Sequence, residues 1–408
     1  MRNGTTGGRK LGVVIAAVTL TAVLCLAACG PATTQPEKKR VVEVGDMESL
    51  TGYGASAAQP ILEAEIAYYK YFNEEIGIPG VTVQINWADT GVEAPKSISA
   101  YRRFRERGVP IFTSCSSVGP PALKMMLLKD NVPMVSVNTD ADLIYPPGNV
   151  YCLTPTWAEQ FGAFVDYVME DWDEDRPPKI AFITSDTSWG MAPLEQGIKY
   201  AEGLGIEMLP TEFVPFVTLD ASTNLVRLSD QEADFAYIHG LPATVVPVLK
   251  DAQRLGLLDK ITFGGNANGL NGIMLEGAGP AAEGYFAAFP WPFFCDTEVP
   301  GIQRTTEMLM ETHGRVIMDA GYFTGRIQAA IACEAIRRAA EAVGPENVDN
   351  VSVKAGLDSM KNVDFEGLTT ITYTPEERRG FTKTRIYAVK NGKIVRLTDW
   401  TESPKLVP

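Results

Sequence analysis

The sequence predicts an α/β protein built on two doubly wound, mostly parallel sheets, and three observations carry that reading. From Val41 onward, short β-rich runs alternate with amphipathic helical stretches, which is the rhythm of βαβ units. The alternation comes as two successive series, so two sheets are expected. A chain of 408 residues with 45% hydrophobic content also has more core to bury than a single lobe usually holds.

The first series runs "VVEVGDM", a helix around "ILEAEIAYYKYFNEE", "VTVQINWAD", a helix over "SISAYRRFRER", "VPIFTS", then "ALKMMLLKD" and "VPMVSV". The second runs "WAEQFGAFVDYVMED", "KIAFITS", "PLEQGIKYAEGLG", "ADFAYIHG", "ATVVPVLKDAQRLG", "ITFGG" and "GYFAAF". A long helix over "FTGRIQAAIACEAIRRAAEAVG" follows. Asn391 and Gly392 then turn "TRIYAVK" back into "KIVRLTDW" as a hairpin. The aromatic run "FAAFPWPFF" (286–294) reads as core, and its two prolines suit a stiff crossing between lobes.

The amino terminus stands apart from this pattern. Arg2, Arg9 and Lys10 precede the uncharged run "LGVVIAAVTLTAVLCLAA", which ends just before Cys29 and reads as an export signal over 1–28. A short membrane anchor is the competing reading, since 18 such residues reach the lower limit for a spanning helix. "GPATTQPEKKR" then has no apolar periodicity, and residues 29–40 read as a tether.

Charge excludes one class of partner. The formal charge of −14 becomes −17 once Arg2, Arg9 and Lys10 are removed, because residues 1–28 hold no acid. A chain so acidic, with no basic stripe, does not suit nucleic acid. Cys115, Cys152, Cys295 and Cys333 lie beyond the signal, and sequence does not decide their pairing. Cys333, on the apolar side of its helix, is expected to be a buried thiol. No cysteine or histidine pair has metal-ligand spacing, and "GGNANG" lacks the order and following helix of a dinucleotide fingerprint, so neither metal nor cofactor is expected.

In an open parallel sheet the ligand crevice lies beyond the carboxyl ends of the strands. Those ends read "TSCSS" (113–117), "VNTDAD" (137–142), "SDTSWG" (185–190), "IHGLPA" (238–243) and "GGNANG" (264–269). Hydroxyls, amides, glycines and an aromatic group dominate them, which suits holding a small polar molecule rather than transferring protons. Ser116 and Ser117 before Pro120 and Pro121 read as a helix start, where hydroxyls and unbonded N–H groups together attract a carboxylate or carbonyl oxygen.

A hydrolase is the competing reading. It needs a base for the serine, and the chain offers only His239 and His313. His313 reads as a helix-end surface residue. His239 could face Ser116 across a crevice, yet the segment lacks the G-x-S-x-G spacing of a strained elbow. Asp140 and Asp186 remain as an acid pair of the glycosidase kind. Trp189 among polar neighbours reads as a platform for an apolar ligand body. Asn138, Thr139, Asn266 and Asn268 are either turn residues or ligand contacts.

The segment "LAAC" (26–29) resembles the lipobox of bacterial lipoproteins, which implies acyl chains on Cys29 and a membrane-held protein outside the cytoplasm. From Val41 to the end the chain resembles the solute-binding proteins of bacterial ABC transporters, of the branched-chain amino acid type. The marks are "SLTGYGASAA", "TSCSS" before a helix, "SDTSWG", "VLKDAQRLGL", "AAEGYFAAFP" and "ITYTPEERRGFTKTRIYAVKNGKIV". The resemblance implies the type I periplasmic binding fold, with three crossings near 155, 289 and 370. One lobe would hold 41–155 and 290–369, the other 156–289 and 370–408. It further implies a monomeric, non-enzymatic receptor that closes on a solute and delivers it to a permease with its ATPase.

By the same resemblance, Ser116 and Ser117 grip the ligand's acceptor group and Asn138 and Thr139 add contacts. Trp189 takes the aromatic position, His239, Asn266 and Asn268 lie on facing loops, and Tyr53 stands at the mouth. One departure bears on the solute. Amino acid binders of this kind hold the ammonium with an acid in the loop that here reads "GGNANGLNG", which has none. An unpaired buried ammonium is costly, so amides or aromatic carboxylates fit better than a free α-amino acid unless Asp140 or Asp186 supplies the charge.

Overall fold

The computed structural model describes Met1 and residues 39–408; the expected export signal, Cys29 and nearly all of the tether lie outside the described residues. The first series forms β1 (Arg40–Glu48), α1 (Ala55–Tyr71), β2 (Val81–Asp89), α2 (Ala94–Glu106), β3 (Ile111–Ser114), α3 (Gly119–Asp130), β4 (Met134–Ser136) and β5 (Val150–Cys152). These five strands make one wholly parallel sheet in the order β2-β1-β3-β4-β5.

The second series forms α4 (Trp157–Glu170), β6 (Lys179–Thr184), α5 (Leu194–Gly203), β7 (Glu207–Met208), β8 (Glu212–Phe213), α6 (Ser222–Asp230), β9 (Phe235–His239), α7 (Pro242–Arg254), β10 (Thr262–Asn266), α8 (Gly272–Ala278) and β11 (Phe286–Phe289). Three helices follow, α9 (Pro300–His313), α10 (Gly321–Val343) and α11 (Asn350–Asp358). After them come the small pair β12 (Val363–Phe365) and β13 (Thr369–Ile371), then β14 (Lys383–Lys390), β15 (Lys393–Arg396) and β16 (Thr401–Glu402). The second sheet runs β15-β14-β11-β10-β9-β6-β7, with β8 also on β6 and β16 on β14. Its antiparallel pairings are those that β14 makes with β11, β15 and β16. Asn391 and Gly392 both have positive φ, 52° and 68°, and close the β14–β15 hairpin as their sequence predicts.

The chain therefore passes between the two sheets three times, after β5, after β11 and after β13. Each passage is tied down. At the first, Thr156 and Glu159 form a reciprocal capping box that starts α4. Glu159, wholly buried, also pairs with Arg379 from the third passage, which in turn pairs with Glu377. The third passage adds Gly380 N–H to Cys152 O at 2.8 Å and Phe381 N–H to Leu153 O at 3.1 Å. At the second, Phe289, Trp291, Phe293 and Phe294 are all buried, so "FAAFPWPFF" is both core and crossing.

The period-two alternation of β1 decides what lies beneath the first sheet. Val42 and Val44 join the core shared with Tyr68 of α1 and with Ile327 and Ile331 of α10, while Met47 points to the opposite face with Phe112, Tyr101 and Leu127. Asp46 and Glu48 continue the register of Val42 and Val44, so two carboxyls enter the buried face. Glu65 of α1 is buried there as well. The helices α1 and α10 meet closely because position 325 is glycine: a Cβ there would stand 2.1 Å from Ile61 O.

The second sheet has no such cluster among its described residues: its buried acid, Glu212 of β8, is paired with Arg227 of α6. On one face Ala181, Ile183, Ala236 and Ile238 meet Leu225 of α6 and Val248 of α7. On the other, Phe182 and Tyr237 meet Phe161 and Phe164 of α4, and Phe164 stacks on Phe286 at 5.0 Å between ring centres. The described cysteines are free thiols, and Cys333 is buried as expected. No described helix is long and apolar enough to cross a membrane.

Candidate functional site

A cavity of about 490 Å³ lies at the carboxyl ends of the strands of both sheets, within the size range of small-molecule sites. The segments after β1, β3 and β4 form one wall, and those after β6, β9 and β10 form the other.

In the first wall, β3 ends at Ser114, whose hydroxyl donates to Met47 O at 2.9 Å and fixes the strand end to β1. The turn Cys115–Ser117 follows. Cys115 N–H donates to Glu48 Oε1 at 3.0 Å, so a buried carboxyl holds the turn from beneath. Ser116 Oγ accepts Val118 N–H at 3.3 Å and Gly119 N–H at 3.1 Å, the capping role expected from the sequence. The Ser116 hydroxyl proton and the Ser116 and Ser117 N–H groups have no acceptor among the described residues, and they face a cavity lined by both serines. Ser117 Oγ lies 3.5 Å from Tyr53 Oη, and the Tyr53 ring tilts against Phe216 of the other wall at 4.8 Å. Asn138 Oδ1 accepts Trp157 Nε1–H at 3.1 Å, which leaves its amide nitrogen for the cavity.

Below this turn lie Asp46, Glu48 and Glu65, with carboxyl oxygens within 4.8 Å of one another. Thr113 Oγ1–H donates to Asp46 at 2.9 Å, but Asp46 Oδ2, Glu48 Oε2 and both Glu65 oxygens find no donor outside the cluster. Burial raises Asp46 to about 7 against the hydrogen bonds that lower it. Burial first, then the neighbouring carboxyls, push Glu48 and Glu65 well above the ordinary range. Three acids this close share protons instead of ionising together.

The second wall is held by a relay. Gly269 N–H donates to Asn266 Oδ1 at 2.9 Å, and Asn266 Nδ2 lies 2.9 Å from His239 Nδ1. His239 Nε2 lies 3.2 Å from Trp189 O. The chain is satisfied when Nε2 carries the proton and Nδ1 accepts. Burial lowers His239 to about 3, so the ring is neutral. It stacks at a tilt under Trp189, 4.2 Å away, and Trp189 also meets Trp157 and Phe216 edge-on.

Of the residues singled out in the sequence, Tyr53, Ser116, Ser117, Asn138, Trp189 and Asn268 line the cavity. Thr139, His239 and Asn266 stand behind the wall and are buried: His239 and Asn266 brace Trp189, while Thr139 O accepts Trp157 N–H at 3.3 Å. Cys29 lies outside the described residues. The hydrolase arrangement is not formed, since both nitrogens of His239 are engaged away from Ser116. Neither Asp140 nor Asp186 lines the cavity.

Sequence reasoning did not single out Trp157, Phe216, Asn271 or Asp319, all on the cavity wall. Asn271 caps α8 by accepting Met274 N–H at 2.9 Å and donates to Asp319 Oδ2 at 3.1 Å. Asp319 Oδ1 accepts Gly321 N–H at 2.8 Å at the start of α10. Burial raises the Asp319 carboxyl, against those two donors. An acid thus reaches the cavity wall, but from an element other than "GGNANGLNG". Its only sequence signal is an acid two residues before a long helix. Phe216, in an irregular loop, has none.

Two sheets joined by three crossings, with a cleft at their facing strand ends, define a solute-binding protein of the clamshell kind. A match to the periplasmic binding protein family spans residues 41–393, and the chain belongs to that family. It is a substrate-binding protein of the ABC-transporter type, a class placed outside the cytoplasm. Among solved structures it is similar to a branched-chain amino acid ABC transporter protein from Thermus thermophilus with bound valine, at 26% identity and TM-score 0.83, over 90% of this chain and 97% of that one. It also shares its fold with a fatty acid ABC transporter substrate-binding protein from Thermomonospora curvata, at 20% identity and TM-score 0.76, over 93% and 97% of the two chains. A Rhodopseudomonas palustris HaA2 solute-binding protein in complex with p-hydroxybenzoic acid shares it too, at 17% identity and TM-score 0.75, over 90% and 98%. No curated protein matches the chain.

Proposed function

We propose that the protein captures a small organic solute in this cleft without chemical change and delivers it to an ABC permease with its ATPase. In this reading the chain is a monomer held to the membrane by lipid on Cys29, and residues 41–155 with 290–369 close against 156–289 with 370–408. The carrying observation is a single cavity whose two walls differ in kind, hydroxyl and N–H donors at Ser116 and Ser117 facing the aromatic rings of Trp189 and Phe216. The donors suit a carboxylate or carbonyl oxygen, and the rings suit an apolar body. His239 has both ring nitrogens engaged away from Ser116 and Ser117, which favours binding over turnover.

The test is native mass spectrometry of the purified protein, followed by thermal-shift measurements with amino acids, amides, fatty acids and aromatic carboxylates. A solute at 100 times its dissociation constant adds about 2.7 kcal/mol and raises the melting temperature visibly. No shift with any class, or hydrolysis of an ester by the protein, would overturn this reading.

A further inference from the structure

We propose that the buried acids Asp46, Glu48 and Glu65 couple the cradle to protons: when Ser116 and Ser117 hold an anionic solute, the cluster takes up a proton from solvent, so affinity for that solute falls as pH rises. The proposal rests on the solute-binding reading and adds how that site is regulated.

Glu48 touches the cradle directly. Its Oε1 accepts Cys115 N–H at 3.0 Å, and Ser116 is the next residue. An oxygen held by Ser116 N–H therefore lies no more than about 10 Å from that carboxyl, one residue step and two hydrogen bonds away. Asp46 is tied to the same strand end by Thr113 Oγ1–H at 2.9 Å. Ser49 and Cys115 line the cavity while Glu48 beside them is wholly buried, so the acids stand directly behind the wall. Charges this close across buried protein are screened little by salt.

The cluster can answer a nearby charge only with protons. Asp46 Oδ2, Glu48 Oε2 and both Glu65 oxygens have no donor outside it. The groups that face it are Tyr69 of α1, Thr113 and Cys115 at the end of β3, and Cys333 of α10, none of which carries positive charge. Burial holds the Tyr69 phenol and both thiols well above their ordinary values, so they stay neutral. A further negative charge at the cradle is relieved when one carboxylate of the cluster becomes a carboxylic acid.

Burial raises Asp46 to about 7, so the free cluster already holds this proton below that pH and must gain it above. Affinity for an anion is therefore greatest below about pH 7 and declines beyond it. A solute carboxylate is ionised throughout this range. His239, lowered by burial to about 3, is neutral throughout it. Asp319, also raised by burial, lines the same cavity, and a substitution in the cluster separates its effect.

The test is calorimetric titration between pH 6 and pH 8 with benzoate and hexanoate, each beside its uncharged amide, in two buffers of different ionisation enthalpy. Carboxylate affinity is expected to fall roughly threefold or more over this range, with protons taken up on binding, while amide affinity stays constant. Glu48→Gln keeps an oxygen for Cys115 N–H but cannot ionise, and its ratio of carboxylate affinities at pH 6 and pH 8 is expected to approach one. Constant carboxylate affinity in the wild type, absence of proton uptake, an equal decline for the amides, or binding of the amides alone would overturn the proposal. An undiminished decline in Glu48→Gln would also overturn it and assign the effect to Asp319. These outcomes differ from failure of the solute-binding reading, in which no solute of any class binds at either pH. If Glu48→Gln does not fold, Glu65→Gln leaves the Glu48 contact with Cys115 in place; it is expected to lessen the decline, and an unchanged decline would overturn the proposal.

Discussion

The two walls of the cleft are supported by opposite chemistry. Behind the Ser116–Ser117 turn lie three buried carboxyls, Asp46, Glu48 and Glu65, whereas behind Trp189 lies one buried neutral imidazole, His239. Both arrangements bury titratable groups in uncharged form, but protons act on them in opposite directions. Asp46 has a folded value of about 7, above its ordinary 3.8, so the folded chain holds the extra proton between those limits. The stability this gives is complete below about pH 4 and is lost as pH rises through 7. His239 has a folded value of about 3, below its ordinary 6.5. Its contribution is present above about pH 6.5 and is lost as pH falls toward 3. A cleft built this way has its greatest stability in the weakly acidic range, with a different wall failing on each side.

The largest expected effect comes at the seam between the walls. Glu159→Gln leaves the Arg379 guanidinium, 4% exposed, with one fewer carboxylate and disturbs the cap of α4. Denaturant unfolding is expected to show a loss of about 3–5 kcal/mol, as for other broken buried pairs. An unchanged midpoint would mean that Glu377 alone compensates Arg379.

His239→Ala removes the support of Trp189 and leaves Asn266 Nδ2 and Trp189 O without partners. A loss of about 2–4 kcal/mol is expected from the cavity and the unmade hydrogen bonds. Below pH 6 the variant is expected to lose stability less steeply than the wild type. If the two melting-temperature profiles run parallel between pH 4 and 7, the imidazole is not the acid-sensitive group.

Glu65→Gln tests the other wall. Both Glu65 oxygens lack donors outside the cluster, so replacing an acid that resists ionisation by an amide is expected to stabilise the protein by about 1 kcal/mol at pH 8. The same variant should flatten the decline of melting temperature between pH 5 and 8. Greater destabilisation at pH 8 than at pH 5 would count against proton sharing in the cluster. The smallest effect is expected for Ser117→Ala, which removes one weak 3.5 Å contact to Tyr53 and one donor to the solute. Solute affinity should fall by about 1 kcal/mol or less, with stability unchanged. A larger loss would make Ser117 the principal donor in the cradle.

Much of the molecule is legible locally. The alternation of strands and helices, the Asn391–Gly392 hairpin, the capping role of Ser116 and the aromatic crossing at 286–294 all follow from neighbours in the chain. So does the presence of Tyr53, Ser116, Ser117, Asn138, Trp189 and Asn268 on the cavity wall, because strand ends of parallel sheets converge on one crevice. Strand-end position does not tell which side chain points into that crevice. His239 and Asn266 therefore read as contacts, yet they stand one layer back, where neutral burial lets them brace Trp189.

What sequence alone determined is therefore what periodicity and capping express: two parallel sheets, their order of elements and the turn that forms the cradle. Tertiary structure decided what depends on segments far apart in the chain. Asp319 meets Asn271 only because the second crossing carries the chain back to the first sheet before α10 begins. Asp46, Glu48 and Glu65 become a cluster only when α1 covers β1, and Glu159 finds Arg379 only at the third crossing. Local patterns record each residue's immediate surroundings, whereas burial and charge pairing depend on which distant elements the fold brings against them.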